Sequence, residues 1–409
     1  MPEAATAPAD AAPGPVPNDA YGWALFALIG GQIALHSCMA GIRMASPLAV
    51  LREGHAAWAV GVLLGLFAAA PIVLALRAGR LADRYGYHLP IRVAVGLTVA
   101  GGACAFLSTY LGQASFAVLC VAATFTGAGA NVGLIAIQRA AGRMAHDSTE
   151  LKRIFSWLGL APALSNVVGP VLAGVLIDLS GFRLAFAVLA LLPLASLVWA
   201  RRVPADAPPA AATPRAERRR AWDLLEAPGF TRLLLVNWLL SSSWDVHSFL
   251  VPILGHERGF SASAIGLVLG VFATAVTAVR LVIPFLAHRL REGRVLVGAM
   301  LIAGCVFAVY PFAQASWVMG LCAIVLGLAL GAVQPMIMTT LHQITPVERH
   351  GEAIALRSMA INFSSAVMPL AFGLVGAALG ASALFWVMGA AVASGSVAAR
   401  HVGPQPAAP

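Results

Sequence analysis

What most limits this chain is a run of apolar residues, about 20 long, that recurs from near its start to near its end. Each run is long enough to cross a hydrocarbon core some 30 Å thick, because a helix rises about 1.5 Å per residue. Only 11% of the residues are charged, against about 25% in an ordinary soluble domain, so a water-soluble fold is excluded. Reading the runs between glycine, proline and charge breaks predicts twelve helices, at 21–46, 58–79, 90–111, 114–137, 155–178, 182–200, 230–253, 262–287, 294–313, 317–341, 353–377 and 380–399. The expected fold class is an all-α membrane protein in a lipid bilayer. A net charge of +9 could suggest nucleic acid, yet the basic residues sit in short clusters between the runs and make no continuous face, so no nucleic-acid partner is expected. Cys38, Cys104, Cys120, Cys305 and Cys322 all fall in predicted spans without pairing or metal-ligand spacing. They read as small buried hydrophobes, and neither a metal nor a cofactor is expected.

Residues 1–20 are rich in Pro and Ala, carry Glu3, Asp10 and Asp19, and lack the basic start and cleavage pattern of a secretory signal. They are expected to be a disordered cytoplasmic N-terminus ahead of a retained first span. Counting Lys and Arg on alternate sides places 21 on the side of both termini and three (Arg52, Arg183 and Arg258) on the other, with Arg43 and Arg280 inside spans. The positive-inside rule then puts both termini in the cytoplasm, and the chain in the inner membrane. The segment 201–229, containing VPADAPPAAATPRAERRR, reads as a Pro/Ala-rich basic linker unable to bury a core. It separates a six-helix bundle at 21–200 from another at 230–400, with 401–409 as a cytoplasmic tail. The halves echo one another: Pro170 and Gly174 match Pro369 and Gly373, and GRLADRYG (79–86) has a degenerate counterpart in PFLAHRLREG (284–293). Two related sets of six helices make a transporter architecture, with a site near mid-membrane between them.

Twelve spans, a basic central loop and GRLADRYGYHLPIR (79–92) together resemble the major facilitator superfamily. Its signature in this loop, G-x-x-x-D-R-x-G-x-x-x-x-R, is matched by Gly79, Asp83, Arg84, Gly86 and Arg92. SNVVGPVLAG (165–174) is similar to the fifth-helix motif of the drug:proton antiporter branch, with Gly169, Pro170 and Gly174 present and Ala173 where Gly is usual. The arginine that this branch carries in its fourth helix aligns with Ala123, ahead of Gly127. The resemblance implies two pseudo-symmetric bundles, alternating access, and a gate in which the loop Asp closes against the eleventh helix. Gly79 and Gly86 permit tight turns, while Asp83 can meet arginines and the positive N-terminal end of a helix. An Asp83–Arg357 contact is expected, with snorkelling of Arg357 to the headgroups as the alternative. In the second half His288 stands at the Asp position and Glu292 can meet Lys152 or Arg153. Pro170 after Gly169 offers a bend point.

Asp245 is the one carboxylate predicted near mid-depth. An ionised Asp at a helix centre costs about 2.5–3.5 kcal/mol, so it is expected to face a cavity, a partner or a proton, with an interhelical hydrogen bond as the alternative. It is the leading proton-coupling candidate, and His36 is the second. Gln32 lies one turn from His36 on the same face. Together with Asn131, Asn166, Arg280, Gln334 and Asn362 it forms the substrate-binding set. Arg280 can take a carboxylate or phosphate bidentately, and the balance of cationic groups over acids suggests an anionic or zwitterionic solute. His247 points away from Asp245 on an ideal helix. No G-x-x-x-x-G-K-[ST] loop is present, so an ion gradient is the expected energy source, and no nucleophile–base constellation suggests an enzyme. The expectation is a monomeric secondary transporter exporting a small organic solute against protons. Proton-coupled uptake of a small organic anion, or a non-transporting substrate sensor on the same fold, are the alternatives.

Overall fold

Hydrocarbon offers no partner for backbone N–H and C=O groups, so an open chain can span it only as helices. The computed structural model, which describes residues 18–53, 57–204, 221–260 and 262–402, follows that rule and contains no strand among them. Its helices are α1 (Asn18–Arg52), α2 (Ala57–Tyr85), α3 (His88–Ser108), α4 (Ser115–Met144), α5 (Ser148–Leu158), α6 (Leu160–Leu191), α7 (Leu194–Ala200), α8 (Pro228–Glu257), α9 (Ala262–Leu286), α10 (Glu292–Val309), α11 (Ser316–Gly331), α12 (Val333–Ile344) and α13 (His350–Ala399). Nine stretches among the described residues are long and apolar enough to cross a membrane.

Length converts these helices into crossings. Ser148–Ala200 runs 53 residues, about 80 Å of helix and more than twice a hydrocarbon core. It turns back at Gly181, whose φ of 79° and ψ of 179° belong to a region open essentially to glycine alone. α5 with the first part of α6 therefore makes one crossing, and the rest of α6 with α7 the next. α13 is 50 residues long. It begins beside Gly79 at the end of α2 and ends beside Gly293 at the start of α10, which faces the carbonyls of Ala399 and Val402. Both of its ends lie on the face that carries the clustered arginines, so α13 also crosses twice. With α11 and α12 making a single crossing, α1–α7 and α8–α13 supply six crossings each.

Close backbone packing repeats between the halves. Gly127 of α4 lies against the Phe67 carbonyl of α2, and Gly327 of α11 lies against the Phe272 carbonyl of α9, where an added Cβ would sit 2.6 Å from the oxygen. In lipid no hydrophobic force draws helices together, so such small-residue seams supply the van der Waals contact instead. The last part of the predicted linker departs from expectation: Ala221–Glu226 forms a short helical turn with Ala221 and Leu224 buried. The expected disordered N-terminus through residue 17, linker residues 205–220 and tail residues 403–409 lie outside the described residues, as do the side chains of 368–381, Pro369 included. Cys38 and Cys322 are buried as expected, whereas Cys305 is exposed.

The turn at Gly181 yields a stability test. No atom lies within 4 Å of a Cβ added there, so Gly181→Ala should cost about 1–3 kcal/mol through backbone strain alone. Gly298→Ala, equally uncrowded but within helix α10, should be neutral or stabilising. Thermal unfolding of the two purified variants checks this, and equal melting temperatures would contradict it.

Candidate functional site

Polar side chains on apolar helices need partners or water, and here they converge in two places. The first is a cavity of about 860 Å³ between the halves, whose wall includes Asn166 of α6, Trp244 and Asp245 of α8, Arg280 of α9, Gln334 of α12 and Ser365 of α13. Asp245 and Ser365 share that wall. The acid thus opens into a shared cavity, not onto lipid. Arg280 does not snorkel: its Nη1 donates to the Gly159 carbonyl at 2.6 Å, at the junction of α5 and α6, and its own carbonyl accepts from Ser156 Oγ at 2.5 Å. It therefore ties the second half to the first at the cavity floor. Among the described residues no ion pair joins Arg280 to Asp245.

The second place is the basic face. Asp83 accepts from Arg139 Nε and the Gly351 N–H at 2.8 Å each, and from the Glu352 N–H at 3.0 Å. The first N–H groups of a helix have no intrahelical partner and carry positive potential, so the carboxylate caps α13 from the opposite half. Gly79 makes this approach possible, because a Cβ there would overlap the Gly351 carbonyl. Gly86, with φ of 69°, ends α2 and donates its N–H to the Ala82 carbonyl at 3.0 Å. Arg80 and Arg349 both pair with Glu352 at 2.9 Å. In the second half Lys152 meets Glu292 at 3.1 Å, as expected, and also donates to the Leu290 carbonyl at 2.6 Å, while Arg153 donates to the Pro284 carbonyl at 3.0 Å. Cations at the carbonyl end of α9 mirror the carboxylate at the amide end of α13. His288 is exposed and takes no part in these contacts. Burial, reinforced by Arg139 and Arg143, holds the His350 imidazole below its usual range, so this turn adds no charge to a face already dense in arginine.

The expected Asp83–Arg357 contact is not made. Arg357 is 4% exposed and lies seven residues into α13, about 10 Å below its start and beyond Asp83's reach. It neither meets Asp83 nor snorkels. Its Nε donates to Asn237 Oδ1 at 3.2 Å and its Nη2 to Gln334 Oε1 at 2.8 Å. Arg84 and Arg92, also expected in the gate, stay outside it: Arg84 is exposed with its guanidinium 5.3 Å from the Tyr85 ring centroid, and Arg92 is exposed on α3.

The remaining substrate-binding candidates divide. Asn166, Arg280 and Gln334 line the cavity. Asn131 instead accepts from Ser358 Oγ at 2.6 Å, and Asn362 donates to the Ser358 carbonyl at 2.8 Å, so both belong to the closed seam between the halves. Gln32 is 1% exposed and the His36 Nδ1 is buried without a partner. Neither is among the residues that line the cavity. His247 points away from Asp245 as helix geometry requires, and shares a hydrogen bond with Tyr310 Oη at 3.0 Å. Gly169 packs where a Cβ would overlap the Ser37 carbonyl of α1, but α6 keeps helical backbone at Pro170 and breaks at Gly181 instead. Arg139, Asn237 and Ser358 escaped the sequence reading. Asn237 carries the same signal as its neighbours, a polar residue within an apolar span, whereas Arg139 reads in the sequence only as one of the clustered topology charges.

Among the described residues, the polar contacts that join the two halves all lie toward the basic face. On the opposite face they stay within one half: Ser115 donates to Glu53 at 2.8 Å, Arg183 lies 4.3 Å from the Tyr110 ring centroid, and Arg258 donates to the Pro311 carbonyl at 2.5 Å. Among the described residues the halves are thus tied by polar contacts on the basic face alone.

The chain matches the family model described as Major Facilitator Superfamily over residues 28–314 and again over 233–409. It is 27% identical over 315 residues to the enterobactin exporter EntS of Citrobacter koseri, an alignment covering 73% of this chain and 72% of the relative. Against EntS of Salmonella typhimurium the identity is 26% over 310 residues, with the same coverage. In fold it is similar to a bacterial homologue of the iron transporter ferroportin in its outward-facing state, with a TM-score of 0.79, 19% identity, and coverage of 92% of this chain and 98% of that one. It is also similar to the fucose:proton symporter FucP of E. coli, with a TM-score of 0.76, 15% identity, and coverage of 94% and 100%.

The gate geometry ranks its parts. In a background lacking the five native cysteines, Ser358→Cys places a reporter in the closed seam. Asp83→Asn should raise its labelling by a membrane-impermeant maleimide severalfold, because charge-assisted bonds to three partners weaken together. Glu292→Gln should raise it less, since Lys152 keeps its carbonyl acceptor. Labelling that rises no more with Asp83→Asn than with Glu292→Gln would refute this ranking.

Proposed function

The chain belongs to the major facilitator superfamily and is a multi-pass membrane transporter, and from that premise we propose that it exports a small organic solute in exchange for protons. It works as a monomer in the inner membrane, with the basic face and both termini in the cytoplasm. The observation that carries this reading is Asp245, a carboxylate opening into a cavity that is sealed on the basic face. A carboxyl on a wall that is alternately wetted and enclosed exchanges its proton with its surroundings, which is the property that coupling needs. In the state described, Asp245 is placed to take a proton from the untied side as solute leaves. Opening the basic face then requires breaking the Asp83 cap and the Lys152–Glu292 pair, which uncovers Asn131 and Asn362 in the seam.

Export is supported by two independent features: relatives named as enterobactin exporters and the SNVVGPVLAG segment of α6. The solute meets Asn166, Arg280 and Gln334 on the cavity wall. Gly79 allows the close backbone approach across which the halves meet, Gly86 turns the chain out of α2, Gly169 packs α6 against α1 within the first half, and His36 and Gln32 move with α1.

Reconstituted proteoliposomes with an imposed pH gradient test this. Solutes are first selected by thermal shift, with enterobactin included because the relatives are named for it. Asp245→Asn should abolish gradient-driven flux while sparing solute exchange without a gradient. Gradient-driven flux that survives Asp245→Asn would overturn the proposed coupling site.

A further inference from the structure

Resting on the transporter reading and deepening it, we infer that the cavity floor is an oxyanion subsite: Arg280 and the Gln334 amide nitrogen receive an acidic oxygen of the solute, and Arg357 is the positioning residue that fixes the amide. The argument begins with donor chemistry. A guanidinium carries five N–H donors and no acceptor. Whatever amide faces Arg357 must therefore present its oxygen, and both Asn237 and Gln334 do so, at 3.2 and 2.8 Å. The usual ambiguity between amide oxygen and nitrogen disappears here, because the reversed amide would set an NH₂ group against a cation.

With Oε1 held by Arg357, the group that Gln334 keeps for a solute is Nε2, which has no protein acceptor among the described residues. Gln334 lines the cavity. Asn237 plays no such part, since it is not among the residues that line the cavity. The second donor group is Arg280 on the same cavity wall: its Nη1 is held by the Gly159 carbonyl, and among the described residues no carboxylate meets its guanidinium. Both groups line the cavity without a protein anion beside them, which leaves them to an acceptor on the ligand.

Charge supports the assignment. The ion pairs among the described residues lie in the gate, where they join Asp83, Glu292 and Glu352 to basic partners. Neither Arg280 nor Arg357 meets a carboxylate. Two guanidiniums buried in a membrane protein without a counter-charge are costly, and a ligand anion offsets that cost. Asp245, the one acid on the cavity wall, is paired with neither arginine among the described residues. The ligand class is a carboxylate or comparable oxyanion, in preference to its neutral amide.

The test is binding to the full-length protein in detergent, with no gradient. The probes are acetate, benzoate and 2-naphthoate, each against its primary amide. Binding is followed by thermal shift and by tryptophan fluorescence, with Trp244→Phe identifying the cavity signal. For at least one pair the wild type should prefer the carboxylate by about tenfold or more. Arg280→Gln should remove that preference, and Gln334→Met should reduce it severalfold. Arg357→Gln should also reduce it, but should add nothing further in the Gln334→Met background, which separates positioning from a general structural effect. If Arg357→Gln does not fold, the Arg280→Gln and Gln334→Met variants still decide. Equal binding of every carboxylate and its amide, or a preference that survives both of those variants, would overturn the inference. Since no gradient is applied, either result leaves the coupling role of Asp245 to be judged separately by flux.

Discussion

A carboxylate seated on the open end of a helix from the other half of the molecule holds this structure in the state described. Asp83 satisfies two of the unpaired N–H groups at the start of α13, and Arg139, itself 3% exposed on its side chain, completes its coordination. Across the same face, Arg153 meets the Pro284 carbonyl in the last turn of α9 and Lys152 the Leu290 carbonyl just beyond it. The two halves thus use opposite ends of the helix dipole, negative charge on amides and positive charge on carbonyls. A seam of this kind differs in kind from an apolar one, because water can replace each of its hydrogen bonds when the halves part. Hydrogen bonds to charged groups contribute about 1.5–3 kcal/mol net. A few of them favour one state without putting it beyond the reach of ligand and proton binding.

The cavity inherits its floor from that closure. Arg280 belongs to the cavity wall and, through the Gly159 and Ser156 contacts, to the tie between halves. Any group that draws its guanidinium toward the cavity competes with the Gly159 carbonyl, so occupancy and closure are physically linked. The polar wall is also divided. Arg280 and Gln334 present donors, whereas Asp245 with Ser365 forms the acidic part. An acid and a single cation thus share one cavity without pairing among the described residues, which leaves each open to a different ligand in the function proposed above.

The legible parts of the site were those that depend on local chemistry. Asp83 was recognisable as a carboxylate suited to a helix N-terminus, Glu292 as a partner for Lys152, and Asp245 as a charge too expensive to leave facing lipid. Each inference drew on charge type and depth along a helix, which residue number alone supplies. Arg357 failed because depth was judged too coarsely: seven residues into α13 it is out of the face and in the interior. For His36 and Gln32 the limit is a different one. Their spacing shows that they share a face, but nothing local says whether that face looks into the cavity or into the first half.

Number of crossings, sidedness of charge and the duplicated plan follow from the sequence by itself, because bilayer thickness imposes a length on every apolar run and each polar break must reach water. Which arginine meets Asp83, which polar residues line the cavity and which lock the seam were decided only by tertiary structure. Arg139 stands 56 positions from Asp83 and Ser358 stands 227 from Asn131. Those meetings depend on the rotation of each helix about its axis, and that rotation is set by close small-residue seams such as Gly127 on Phe67 and Gly327 on Phe272. Apolarity around the whole circumference of a span leaves its rotation undetermined, so only packing against neighbours chooses among the faces.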